Sequence, residues 1–88
     1  MQRRYRIDVT AEDIIEGTPA SKHRCAIALA LRRQFGQMAT VRDTFAIIPT
    51  PQGPLRLTLP QRAQQFISTF DQWGAARAKP FRFILTAP

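Results

Sequence analysis

The chain has 88 residues, enough for one hydrophobic core, and carries a net charge of +7 from 13 Lys and Arg against 6 Asp and Glu. Its 44% hydrophobic content excludes a disordered chain, its single cysteine excludes an intramolecular disulfide, and it has no apolar run of the roughly 20 residues that a membrane helix needs. We therefore expect a single domain over residues 1–88, located in the cytoplasm and not in a membrane.

The first predicted element is a strand. Apolar and polar side chains alternate over residues 3–10, which is the period of a half-buried strand. Thr10 can then cap a short helix over residues 11–16, because its hydroxyl can accept from a free N–H of the first turn. Gly17 is placed to end that helix.

A longer helix is predicted over residues 22–35, with Ser21 as its N-cap and Gly36 as its stop. Most of its apolar side chains fall on one broad arc, so this helix should pack on the core. Two short strands follow, at residues 38–41 and 44–48. The second is apolar on both faces, which is typical of a central strand.

Three prolines and a glycine predict a loop over residues 49–54, and the alternating residues 55–59 predict the next strand. An amphipathic helix is predicted over residues 60–73, with Gly74 as its end, and residues 81–86 predict the final strand. The apolar arc of this last helix consists of Ala63, Phe66, Ile67, Phe70 and Trp73.

These elements predict an α+β fold, with an antiparallel or mixed sheet of four or five strands, two main helices packed on one face and one short helix. If the helices cover the apolar face of the sheet, the other face is rich in arginine. The candidate binding residues are Arg4, Arg6, Arg56 and Arg82 on that face, with Arg32 and Arg33 as second choices.

The basic charge belongs to the body of the domain. Residues 1–16 contain three arginines and four acids, a net charge of −1, whereas residues 17–88 contain ten basic residues and two acids, a net charge of +8. The planar guanidinium suits bidentate contacts with phosphate or carboxylate. Two explanations stay open: an arginine surface that binds an acidic partner, or a solvated face whose composition reflects a GC-rich genome.

The sequence predicts no catalytic residues, no metal site and no cofactor, so we expect a protein that is not an enzyme. His23 is the only histidine, and on a helix its ring would project about 200° away from Cys25, which opposes a catalytic dyad. These two residues are also too few for a zinc site. The four glycines sit at the ends of elements and do not form a phosphate-binding loop.

Several motifs together suggest a family. The segments VTAEDIIEG and CAIALALRRQFG, followed by LP and FISTFD and then by PFRFIL, resemble a family of small uncharacterised bacteriophage and bacterial proteins. The resemblance covers most of the chain and implies a phage setting. Small phage accessory proteins often act by stoichiometric binding to host factors, including CRISPR effectors, so an anti-CRISPR-like role follows by analogy of context.

The leading functional prediction is a small phage-type interaction protein that binds an acidic macromolecular surface, a host protein or nucleoprotein complex, and so inhibits a host defence system. The alternative is a sequence-tolerant nucleic-acid-binding protein in which the same arginines contact phosphates. Either protein would act as a monomer or homodimer.

Overall fold

A computed structural model describes residues 3–87. In chain order the elements are β1 (Arg3–Val9), α1 (Ala11–Glu16), α2 (Ala26–Phe35), β2 (Thr40–Val41), β3 (Phe45–Ile48), β4 (Leu55–Thr58), α3 (Gln61–Trp73), a 3₁₀ turn (Gly74–Ala76) and β5 (Phe81–Ala87). The predicted α+β class is confirmed. No helix within the described range has the length and apolar character to span a membrane.

The five strands form two antiparallel sheets and not one continuous sheet. β1 and β5 pair along their whole length, with Ile7 opposite Phe83, and the second sheet has the order β2–β3–β4. β3 is therefore a central strand, as its two apolar faces predict. The sheets meet where β4 lies against β5. β4 is only four residues long, and Pro60, which lacks an N–H donor, lies two residues beyond its end.

The core lies between the helices and the inner faces of both sheets. The inward-facing side chains of β1 and β5 are buried or half-buried, and Ile27 and Leu31 of α2 and Phe70 of α3 are fully buried against them. Phe66 of α3 stacks on Phe81 of β5 with 4.7 Å between ring centroids. The outward-facing side chains of β1 and β5 are exposed, as the sequence pattern predicts.

The predicted start of the long helix was wrong. α2 begins at Ala26 with Cys25 as its N-cap, and residues 22–24 form a turn in which the Ser21 hydroxyl accepts a hydrogen bond from the Arg24 amide at 3.1 Å. The Lys22 carbonyl accepts from the amide of Val41 at 2.7 Å. In a helix over residues 22–35 this carbonyl would accept from the Ala26 amide, and here it pairs with β2 instead.

The short helix α1 is held as its sequence predicts. The Thr10 hydroxyl accepts from the Asp13 amide at 3.2 Å, and the Asp13 carboxylate accepts from the Thr10 amide at 2.9 Å, which is a capping box. Gly17 follows α1 at a close approach to α2. A Cβ on Gly17 would lie 2.7 Å from the Asp13 carbonyl oxygen and 2.8 Å from the Ala26 nitrogen.

Two further predictions need correction. β2 spans only two residues, and Met38, which was predicted to belong to it, is half exposed. Trp73 was predicted to lie on the core arc of α3, but 48% of it is exposed. The Arg77 guanidinium lies 4.4 Å from the centroid of the Trp73 ring, so the indole is partly covered by a cation and not by the core.

Candidate functional site

The alternation of β1 and β5 places three of the predicted arginines on one solvent-facing surface. Arg4 is paired with Thr86, Arg6 with Ile84 and Asp8 with Arg82, so all of these side chains project from the same face of the two-stranded sheet. Arg56 adds a fourth guanidinium from β4. We call the surface formed by Arg4, Arg6, Arg56, Arg82, Ile84 and Thr86 the arginine face.

Asp8 is the acidic side chain within this surface. The Arg82 Nε donates to Asp8 Oδ1 at 2.7 Å, and the Arg6 Nε lies 3.9 Å from Asp8 Oδ2. All three side chains are exposed, so these ion pairs contribute little to stability and mainly orient the two guanidinium groups. Four arginines against one aspartate leave this part of the described surface with a net charge of +3.

The arginine face also has an apolar component. Ile84 is 46% exposed at its centre, opposite Arg6. On the neighbouring sheet the Arg56 guanidinium lies 3.9 Å from the centroid of the half-buried Phe45 ring. A hollow of about 440 Å³ separates β4 from β5, and Arg56, Thr58, Ile84 and Thr86 lie along it. The surface thus combines cations with an apolar centre.

Arg32 and Arg33 do not join this surface. Arg32 is exposed in the last turn of α2. Arg33 donates to both carboxylate oxygens of Asp13, at 2.6 and 2.9 Å, and to the carbonyl oxygen of Asp8 at 2.8 Å. Its guanidinium therefore ties α2 to α1 and to the end of β1. This ion pair gives Arg33 a structural role that sequence spacing does not reveal.

The environment of Asp13 favours its charged form. Burial alone would raise the pKa of this carboxyl group, since only 4% of the residue is exposed, but hydrogen bonds from Arg33 and Thr10, together with the Arg33 charge, lower the pKa below its usual 3.8. The same hydrogen bond to Asp13 raises the pKa of Arg33. Asp13 and Arg33 thus remain an ion pair in neutral solution.

Cys25 and His23 each have a separate partner. The Cys25 Sγ accepts from the Ala28 amide at 3.4 Å as the cap of α2, while His23 is exposed and its Nε2 lies 3.1 Å from the Thr40 hydroxyl. Burial raises the pKa of the Cys25 thiol, which keeps it in the less nucleophilic protonated form. Within residues 3–87 no group of three or more His, Cys, Asp or Glu side chains could hold a metal ion.

Sequence reasoning did not assign a role to Ile84 or to the Phe45 and Arg56 pair. The signal for Ile84 was present, because it is an apolar residue at an outward position between Arg82 and Thr86. The pairing of Phe45 with Arg56 depends on the register between β3 and β4, in which Phe45 is opposite Thr58. That register is not encoded by either strand alone.

Comparisons of the chain with protein-family models, curated proteins and solved structures found no match. The resemblance to small phage and bacterial proteins therefore stays a prediction that depends on the sequence motifs.

Proposed function

We propose that this protein is a non-catalytic binding module whose arginine face docks on an acidic protein surface. The observation that carries the proposal is the exposed Ile84 at the centre of a surface that also presents Arg4, Arg6, Arg56 and Arg82. Protein interfaces characteristically combine an apolar centre with arginine, which contributes both hydrogen bonds and stem packing. A binder of nucleic-acid backbone alone would need the cations but not the isoleucine.

The geometry of the guanidinium groups supports the choice of a carboxylate-rich partner. Asp8 lies beside Arg6 and Arg82 on the same face and orients both, and the Phe45 ring lies under the Arg56 guanidinium. Guanidinium groups that are held in place before binding lose less side-chain entropy when they contact a partner. The hollow between β4 and β5 offers space for a side chain of the partner beside Ile84. Acidic side chains around an apolar anchor would complement this surface.

The resemblance to small phage proteins implies a phage setting, in which the partner is a host protein. The most specific form of the proposal is the stoichiometric inhibition of a CRISPR-like defence complex. This step is supported by the sequence resemblance and by analogy of context. The second candidate, a sequence-tolerant nucleic-acid-binding protein, predicts that the same arginines contact phosphates. The two candidates differ in their dependence on Ile84 and in their sensitivity to nuclease and salt.

Affinity capture from a nuclease-treated bacterial lysate tests the proposal. The wild-type protein should retain a defined acidic protein, and the R4E/R56E variant should lose at least about tenfold of it, because each lost charge-assisted contact is worth about 1.5–3 kcal/mol. An R77E/K79E variant has the same net charge but changes a different surface, so it should retain the partner. Ile84→Ser should weaken capture without any change in charge.

Three results would contradict the proposal: capture that is equal for R4E/R56E and wild type, capture that disappears after nuclease treatment, or capture that is insensitive to Ile84→Ser. The second result, together with a steep linear fall of log affinity with log salt, would favour the nucleic-acid candidate.

A further inference from the structure

The short helix α1 carries the most exposed large apolar side chain of the described residues. Ile15 is 75% exposed, whereas no other large apolar side chain of residues 3–87 exceeds 50%. Glu12 lies one helical turn before Ile15 and Glu16 follows it, and both glutamates are exposed. We call the surface formed by Ala11, Glu12, Ile15 and Glu16 the α1 face.

The two glutamates of the α1 face form no ion pair within residues 3–87. The ion pairs of this part of the chain use Asp8 and Asp13 as their acids. The donors of Arg33 go to Asp13 and to the Asp8 carbonyl oxygen, and not to Glu12. Two glutamates and no cation give the α1 face a net charge of −2, although the whole chain has a net charge of +7.

The other exposed acids do not form a comparable surface. Asp43 and Asp71 line one hollow, but Lys22 and Arg42 line the same hollow, so their charges offset each other. Among the described residues, the α1 face therefore combines acidic side chains with an exposed apolar side chain in a way that the surface around Asp43 does not.

The α1 face complements the arginine face. The arginine face has a net charge of +3 around the exposed Ile84, and a hollow of about 440 Å³ lies beside that side chain. The α1 face presents acids around Ile15, which projects from a helix and can enter such a hollow. Contacts of this kind gain affinity from the apolar centre, while the complementary charges orient the two surfaces and select the partner.

The two faces cannot meet within one molecule. β1 turns Ile7 and Val9 towards the core and α1 turns Ile14 towards it, so the arginine face and Ile15 both point to solvent. Thr10 is the only residue between β1 and α1, which is too short a connection for α1 to fold onto the outer face of β1. A contact between the two faces therefore joins two copies of the chain.

We propose that the α1 face of one copy docks on the arginine face of a second copy, with Ile15 in the hollow beside Ile84. Glu12 and Glu16 then contact guanidinium groups of the arginine face. Two copies can exchange these contacts reciprocally in a closed dimer, or the contacts can run head to tail in an open chain. The self-contact competes with the acidic partner for one surface; this competition rests on the function proposed above, whereas the self-contact does not.

The test is the mass of the whole protein in solution, measured by light scattering from about 1 µM to about 1 mM. The mass of the wild type should rise above that of one chain as the concentration increases. E12K/E16K and R4E/R56E should each weaken self-association at least about tenfold, because like charges then face each other. A 1:1 mixture of these two variants should associate again, since every contact between the two different variants pairs opposite charges.

Matched variants separate the contact from general effects of charge and folding. Ile15→Ser changes no charge and should weaken self-association about tenfold through the loss of buried apolar area. Met38→Ser removes an exposed apolar side chain outside both faces, and R77E/K79E changes the net charge as R4E/R56E does, so both should associate like the wild type. The unfolding midpoint shows that each variant is native. If Lys at position 12 unfolds α1 through the helix dipole, Ile15→Ser carries the test.

A mass that levels off at two chains identifies the closed dimer, and a mass that continues to rise identifies the open chain. The proposal is overturned if the wild type remains a single chain up to about 1 mM. It is also overturned if Ile15→Ser and E12K/E16K both associate as strongly as the wild type, or if the mixture of charge-reversed variants does not associate.

Partner capture from lysate distinguishes the self-contact from the proposed function. Ile15→Ser keeps the arginine face intact, so it should capture an acidic partner at least as well as the wild type. Self-association without any partner capture would contradict the proposed function alone. A wild type that captures the partner but remains a single chain at every concentration would contradict the self-contact alone.

Discussion

At the α1–α2 junction, Arg33 donates three hydrogen bonds, two to the buried Asp13 carboxylate and one to the carbonyl oxygen of Asp8. On the arginine face, Arg56 is exposed and lies over the ring of Phe45. Both residues are arginines in a chain with eleven of them, and both were candidates for binding. The first is bound to the protein's own backbone and carboxylate, whereas the second leaves most of its donors free for a partner.

The comparison shows that the net charge of a small basic protein overstates its binding surface. Some of the cations maintain the fold, and only the exposed fraction can contact another molecule. The difference between the two regions lies also in the burial of the acidic residue that each contains. The Asp13 carboxylate is buried, so its charge needs Arg33 in addition to the Thr10 amide that donates to it. Asp8 is exposed, so water can solvate its carboxylate without the arginines. The following predictions test this difference, beginning with the largest expected effect.

Gly17→Ala should destabilise the α1–α2 junction most, by about 3 kcal/mol, because the new Cβ would meet two backbone atoms that cannot move independently of the helices. The measurement is the free energy of unfolding in urea. Gly36→Ala is the matched control. Gly36 has φ of 73° but open space around it, so this substitution should cost only about 1 kcal/mol for the left-handed backbone. Equal losses in both variants would contradict the close approach at Gly17.

A fall in pH should destabilise the α1–α2 junction, because Asp13 then becomes protonated. The pKa of Asp13 in the folded protein lies below its usual value of 3.8, so the carboxylate stabilises the fold above about pH 4 and loses this contribution as the pH falls through the lowered pKa. Asp13→Asn should therefore be less stable than wild type by about 2 kcal/mol at neutral pH, since it loses the charge-assisted hydrogen bonds with Arg33.

The check on Asp13 is the difference in free energy of unfolding between wild type and Asp13→Asn as a function of pH. We expect the difference to shrink steadily below about pH 4, because wild-type Asp13 then becomes neutral as well. Other carboxylates titrate in both proteins and largely cancel in the difference. A difference that stays constant down to pH 2 would mean that folding does not lower the pKa of Asp13.

Arg33→Gln and Arg32→Gln compare neighbouring arginines of α2 that sequence analysis treated alike. Arg33→Gln should lower the free energy of unfolding by about 1 kcal/mol, a moderate value because 52% of the Arg33 side chain is exposed and solvent screens the pair. Arg32→Gln should change it by less than about 0.5 kcal/mol, as expected for an exposed side chain outside such a network. Equal effects would remove the structural role assigned to Arg33.

The sequence predicts the elements that depend on local pattern. The alternation in β1 and β5, the capping signal at Thr10 and the amphipathic arc of α3 each depend on residues close together in the chain, and the structure confirms all three elements. The start of α2 was wrong because a long-range contact decides it: the Lys22 carbonyl binds the Val41 amide, and no local signal at Ser21 reports this.

The candidate surfaces were predictable to a similar extent. Strand alternation alone indicated that Arg4, Arg6 and Arg82 share a face, and Arg56 was correctly placed on the outer side of its own strand. The division into two sheets was not predictable, since it depends on which strand edges form a ladder.

A small effect on stability is expected on the arginine face, in contrast to the α1–α2 junction. R4E/R56E should change the free energy of unfolding by only about 0.5 kcal/mol, because both side chains are exposed and neither contacts a buried acid. Only the cation–π contact of Arg56 with Phe45 is lost, and at an exposed site it is worth about 0.5 kcal/mol. Urea unfolding of this variant beside Arg33→Gln measures the contrast directly. A large loss of stability in R4E/R56E would make the arginine face a structural surface like the junction, and the loss of partner capture in the same variant would then reflect unfolding and not a missing contact.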